Sequence, residues 1–113
     1  FNSNCEVVVD LLKSRQVNEV GVGCLSEVKS WIFFPSKVMV EISDDNTHFK
    51  PYGEFICPAP VKQDTALVQN MIVKGNAQGR YIKIKVVNYG KMPSWHISAG
   101  EQAWLFVDEV WAK

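Results

Sequence analysis

Residues 36–49 read SKVMVEISDDNTHF, and this stretch decides the fold. Val38, Val40 and Ile42 alternate with Lys37, Met39 and Glu41, the period of two that gives a strand one apolar face and one wet face. The alternation stops at Asp44-Asp45-Asn46, short side chains whose oxygens bond their own backbone and which tolerate left-handed conformations. A turn is expected there, and Phe49 to Cys57 reads as the next strand.

Working outward, the same period recurs on both sides. Val7, Val9 and Leu11 alternate with Val8, Asp10 and Leu12. Lys13-Ser14-Arg15-Gln16 then reads as a polar connection to a second strand, in which Val20, Val22 and Cys24 share a face. Gly21 and Gly23 line the opposite face, which suits a bulge or the close approach of another backbone. Beyond Pro58-Ala59-Pro60, which cannot sit in a central strand, Thr65 to Lys74 is a further candidate. Gly75 to Gly79 reads as a turn, followed by Ile82, Ile84 and Val86 alternating with Tyr81, Lys83, Lys85 and Val87. Asn88 to Gln102 is a long loop. The last run, Trp104 to Trp111, is apolar except at Asp108 and Glu109, as expected of a strand buried on both faces. Seven or eight short antiparallel strands without helices predict an all-β sandwich or jelly roll.

Composition narrows the function. A chain of 113 residues with 47% hydrophobic and 21% charged residues is one domain with a core of its own. Twelve basic and twelve acidic residues cancel, and neither sign forms a run, so nothing marks a nucleic-acid or anionic-membrane partner. No apolar stretch reaches the roughly 18 residues of a membrane span; the run from Trp31 to Phe34 ends at Pro35. The first residue is Phe1 and no leader pattern follows it, so the chain reads as a fragment of a larger protein. Cys5, Cys24 and Cys57 are odd in number and widely spaced, which favours buried free thiols over a disulfide framework or zinc knuckle; one bridge, such as Cys5 to Cys24, stays open.

Catalytic patterns are missing from the sequence. Neighbouring Asp108 and Glu109 are expected on opposite faces of a strand and so cannot flank one glycosidic bond. His48 and His96 stand in no metal-ligand spacing, and no G-x-S-x-G turn sets Ser94 or Ser98 beside a base. The dense segment is NYGKMPSWHISAGEQAW, Asn88 to Trp104, where aromatic and polar side chains crowd a loop. Sugar recognition explains such crowding, because an indole stacks on the C–H face of a pyranose while His, Asn and Glu bond hydroxyls. Trp95, His96, Glu101, Asn88 and, from an earlier loop, Trp31 are therefore the candidate carbohydrate-binding residues. The competing reading has Trp95 and Trp104 plugging the end of the sandwich, with Trp31 in its core.

Three segments together resemble one family. VVVDL (Val7 to Leu11), VGVGCLSEVKSWIFFPSKVMVEISDDNTHF (Val20 to Phe49) and GRYIKIKVVNYG (Gly79 to Gly90) are similar to the discoidin, or coagulation factor V/VIII type C, domain. PSWHISAGEQAWLFVDEV, Pro93 to Val110, resembles the version appended to bacterial family 20 β-N-acetylhexosaminidases, or chitobiases. The resemblance covers nearly all of residues 1–113. It implies a galactose-binding-like β-sandwich of about eight antiparallel strands, and a noncatalytic module that helps a glycosidase engage glycans of N-acetylhexosamine or galactose type. The implied partners are those glycans and a catalytic domain of the same chain, in the periplasm or at the cell surface of a Gram-negative bacterium such as a Bacteroides species. Family members usually carry a D-G-x-x-G segment ahead of the first strand seen here, often with a structural calcium site; this sequence lacks it, and no calcium ligand is named among its residues.

Overall fold

The computed structural model describes residues 1–62 and 65–113. These form strands β1 (Cys5–Ser26), β2 (Lys37–Ser43), β3 (Lys50–Ile56), β4 (Leu67–Val87) and β5 (Phe106–Ala112), with a short 3-10 turn at Val28–Ser30. The five strands pair antiparallel throughout, in the spatial order β3-β2-β4-β1-β5.

Five strands stand where seven or eight were expected, because among the seven runs named above two consecutive pairs are continuous. Lys13 to Gln16 does not reverse the chain, and neither does Gly75 to Gly79. Both lie inside long strands, where the register of β1 against β4 slips between Asp10 and Arg15 and again between Val17 and Glu19. Leu12 has φ 73°, and its N–H is held by Asp10 Oδ1 at 2.8 Å, so the extra residues are absorbed as a bulge. Polarity and glycine here mark a bend in the sheet. A methyl group at Gly79 would sit 2.5 Å from Ile42 Cγ1, so only glycine lets the strand turn this closely over β2.

The bend makes the sandwich. A straight strand of the 22 residues in β1 would run ~73 Å at about 3.3 Å per residue, whereas the longest dimension of the molecule is 47 Å. The first half of β1 pairs with the second half of β4, which continues to β2 and β3; the second half of β1 pairs with the first half of β4 and with β5. These two layers face each other. Tyr52 of β3 reaches across to donate its hydroxyl to the Val17 carbonyl at 3.2 Å, and a methyl at Gly53 would lie 2.9 Å from Val73 Cγ1. Val20, Val22 and Val73 from one layer and Val38, Ile42 and Ile84 from the other share one fully buried core, each contributing roughly 1.5–3 kcal/mol of transfer free energy.

The turn at Asp44-Asp45-Asn46 forms as its chemistry requires. Asp45 Oδ1 accepts the N–H groups of Thr47 and His48 at 2.9 and 2.8 Å, Asn46 adopts φ 60°, and these bonds hold the Asp45 carboxyl well below the usual carboxylate range.

Two expectations about the last strand fail. β5 is an edge strand rather than one buried on both faces: Trp104 and Phe106 are 46% and 48% exposed. Ala103 and Leu105, which alternate with them, are buried, and the apolar outer positions form a surface patch. Asp108 and Glu109 do not face opposite ways either. Gly23 pairs with Glu109 while Cys24 pairs with Val107, leaving Asp108 as the extra residue of a bulge. Both side chains pass over Gly23, where a methyl would meet Asp108 Oδ1 at 2.1 Å and Glu109 Cγ at 3.3 Å. The space above Gly21 is filled by the Trp111 ring, not by a backbone.

The three thiols are free, Cys5 and Cys24 buried and Cys57 partly so. Burial, aided by Cys57, Asp108 and Cys5, pushes the Cys24 thiol up to about 12, and burial takes Cys57 up to about 11.

Candidate functional site

Bending β1 and β4 back on themselves brings the ends of both layers to one pole. Residues 27–36, 88–105 and 1–4 therefore leave the sheet together and interlock. Phe33 N–H donates to the Trp104 carbonyl at 3.0 Å, Ser36 N–H to the Val87 carbonyl at 2.9 Å, and Leu105 N–H to the Phe1 carbonyl at 2.6 Å. Under these loops lies a second small core of Val28, Phe33, Met92 and Ala103, with Tyr89 and Trp95 packed against it.

Two of the expected sugar ligands are spent on this scaffold. His96 is buried, its Nδ1 accepts the Ser98 N–H at 2.9 Å, and its Nε2 lies 2.7 Å from the Val28 carbonyl. That pattern places the ring proton on Nε2 and ties loop 88–105 to loop 27–36. Asn88 is equally occupied: its amide donates to the carbonyls of Ala103 at 3.0 Å and Phe1 at 3.3 Å, and its oxygen accepts from Gly90 N–H at 2.7 Å and Gln102 Nε2 at 3.0 Å. Neither side chain has capacity left for a hydroxyl.

Trp95 is half-buried, with ring centroids 6.2 Å from Phe33 and 6.1 Å from His96, so it plugs the pole. Glu101 stands in solvent on the outer turn, with no side-chain partner among the described residues.

Trp31 has a different setting. It ends the 3-10 turn at φ 69°, a left-handed conformation, and is 36% exposed. Trp104 N–H donates to its carbonyl at 2.8 Å. The two indoles flank an open depression of about 240 Å³ whose other walls are Phe1, Ser30, Ile32, Leu105 and Phe106. On the far side of loop 27–36 lies a groove of about 260 Å³ between Phe34, Tyr89 and the segment Pro58-Ala59-Pro60. The partners of Trp31, Trp104 and Phe106, are absent from the candidate set, although the alternation Ala103, Trp104, Leu105, Phe106 carries the signal.

Among the described residues no three His, Cys, Asp or Glu side chains converge where a metal ion could sit. No helix among them is long and apolar enough to cross a membrane.

An antiparallel β-sandwich with interlocked loops and an aromatic depression at one pole places the chain among the all-β domains. Its family follows from the sequence: residues 2–108 match the F5/8 type C domain model, and the chain belongs to that family, whose fold is the galactose-binding-like β-sandwich. The chain is also similar to the crystal structure of the C-terminal domain of a chitobiase from Bacteroides fragilis, with 18% identity and a TM-score of 0.45, over 97% of this chain and 65% of that one. No curated protein matches the sequence.

Proposed function

We propose that this chain is a noncatalytic carbohydrate-binding accessory module of an exported glycosidase of the β-N-acetylhexosaminidase type, engaging glycans weakly through its loop pole. The observation that carries this reading is the pairing of Trp31 and Trp104, whose exposed indoles flank a depression large enough for one sugar ring. Membership of a family that binds carbohydrates and sits beside catalytic domains supports it. The enzyme type rests on the resemblance of Pro93 to Val110. A shallow site for one ring gives affinities in roughly the millimolar to high-micromolar range, and tethering to an enzyme raises its effective concentration.

Titration calorimetry with chitobiose on the intact chain and on a Trp31→Ala/Trp104→Ala variant tests the proposal. Saturable binding that weakens at least about tenfold in the variant supports it. Binding unchanged by the double substitution, or none by the parent chain, overturns it.

A second reading is favoured by one further feature. Phe106 pairs with Leu25, which pairs with Val68, so an apolar row runs on from the depression across the outer face, with Phe106 48% and Val68 66% exposed. Such a face suits a structural module that packs against its own catalytic domain. Sedimentation separates the two: a bare interdomain face makes the excised chain self-associate, whereas a sugar site leaves it monomeric.

A further inference from the structure

We infer that the Trp31–Trp104 depression selects sugars by an acetamido group and is indifferent to the configuration of their hydroxyls. This deepens the carbohydrate-binding reading and rests on it. The walls are Phe1, Ser30, Trp31, Ile32, Trp104, Leu105 and Phe106. The Ser30 hydroxyl and the indole N–H groups of Trp31 and Trp104 are the polar side-chain groups among them, and no side chain carries charge or an amide.

The chemistry of the occupant follows from that lining. No side chain of the lining pairs with a uronic acid, a sialic acid or a free amino sugar, and the Phe1 ammonium is taken up by the Leu105 carbonyl at 2.6 Å, so an uncharged occupant is favoured. Strong discrimination between hydroxyl epimers requires buried polar groups left unpaired by the wrong one, as a built hydrogen-bonding site supplies. Asn88 and His96, the polar side chains that would do this, are turned inward and occupied. Glucose and galactose configurations at C4 therefore meet the same aromatic surface, and the indole N–H groups of the exposed Trp31 and Trp104 can bond water in place of a hydroxyl that is turned away.

An acetamido group differs in kind. It adds a methyl that the aromatic walls take out of water, and an amide that Ser30 Oγ can bond at the open rim. The depression, about 240 Å³, falls below the roughly 300 Å³ at which drug-sized pockets begin, so a single residue of the glycan is read. Burying one methyl corresponds to about fourfold in affinity.

The experiment is an amide and indole NMR titration of this chain with N-acetylglucosamine, N-acetylgalactosamine, glucose, galactose and glucosamine. Both acetamido sugars should move the Trp31 and Trp104 indole signals with affinities within about twofold of each other, and about fourfold or more tighter than the other three. Ser30→Ala should narrow that gap while leaving the protein's other resonances in place. Galactose matching N-acetylgalactosamine, or a preference for one C4 epimer, overturns the selectivity and leaves the carbohydrate-binding function standing. Silence with all five sugars overturns both. Shifts centred on Trp95 instead of Trp31 and Trp104 overturn the assignment of the site.

Discussion

The N–H of Trp104 donates to the carbonyl of Trp31 at 2.8 Å, locking two loops that are more than seventy residues apart in sequence into one rigid rim. Because the backbone makes this bond, the indoles are free to face solvent. The loop pole thus divides its aromatic residues between structure and surface.

That division predicts graded stability effects. Phe33→Ala removes the ring on which Tyr89, Trp95 and His96 pack and should lower stability by about 3–5 kcal/mol. His96→Ala strands the Ser98 N–H and leaves the Val28 carbonyl with the Trp31 N–H alone, and should cost about 1–3 kcal/mol. Trp104→Ala, on an exposed residue held by its main chain, should cost under about 1 kcal/mol. Urea unfolding of the three variants checks the order; a Trp104 effect as large as that of Phe33 would show the indole to be structural.

The contact between Gly21 and Trp111 gives a second prediction. A methyl at Gly21 would stand 2.1 Å from Trp111 Cζ2, so Gly21→Ala must displace the ring and its bond to Glu19 Oε2 at 3.4 Å. Overpacking of this kind costs about 1–3 kcal/mol. In a Trp111→Ala background the penalty should fall to a few tenths of a kcal/mol, and a double-mutant cycle measures that coupling. Equal penalties in both backgrounds would mean that the strand itself, and not the indole, requires glycine.

Much of this architecture is legible in the sequence, and the parts that are not share a physical cause. Alternation in Lys37 to Ile42 and Tyr81 to Val86 identifies the core faces, since period-two burial is a local property. Whether Lys13 to Gln16 turns back or runs on through a bulge depends on what lies across the sheet, and Gly79 owes its place to Ile42, 37 residues away. The site shows the same limit. Crowding of Trp95, His96 and Asn88 in one loop was a true signal of dense contacts, but those contacts are internal, made to Phe33, Val28 and Ala103. Trp31 qualifies as a surface residue only once the distant Trp104 is set beside it.

The raised thiols give a pH dependence. Cys24 has a folded value of about 12, above its ordinary 9.0, so the folded chain binds this proton more tightly than the unfolded one. Its contribution is fully present below pH ~9 and is lost as pH climbs toward 12. Stability should therefore decline steeply above pH ~9, and Cys24→Val, which keeps an apolar side chain there, should flatten that slope. Thermal melts from pH 7 to 11 read it, and an unchanged slope in the variant would assign the alkaline loss to other groups.

Edge strand β5 carries its two carboxylates at a bulge in mid-strand, a placement that blunts edge-to-edge association. If a second copy aligned its own β5 antiparallel about Glu109, that carboxylate would face its equivalent, and the like charges would oppose pairing. Asp108→Val/Glu109→Val removes the charge while leaving the edge exposed between Phe106 and Trp111, so the variant should dimerise or aggregate at concentrations where the parent chain does not. The loss should appear as a concentration-dependent sedimentation coefficient, with far-UV circular dichroism unchanged. A second variant, Asp108→Asn/Glu109→Gln, keeps the shape and removes only the charge; self-association by the valine pair alone would credit added apolar surface, and self-association by both would credit electrostatic repulsion.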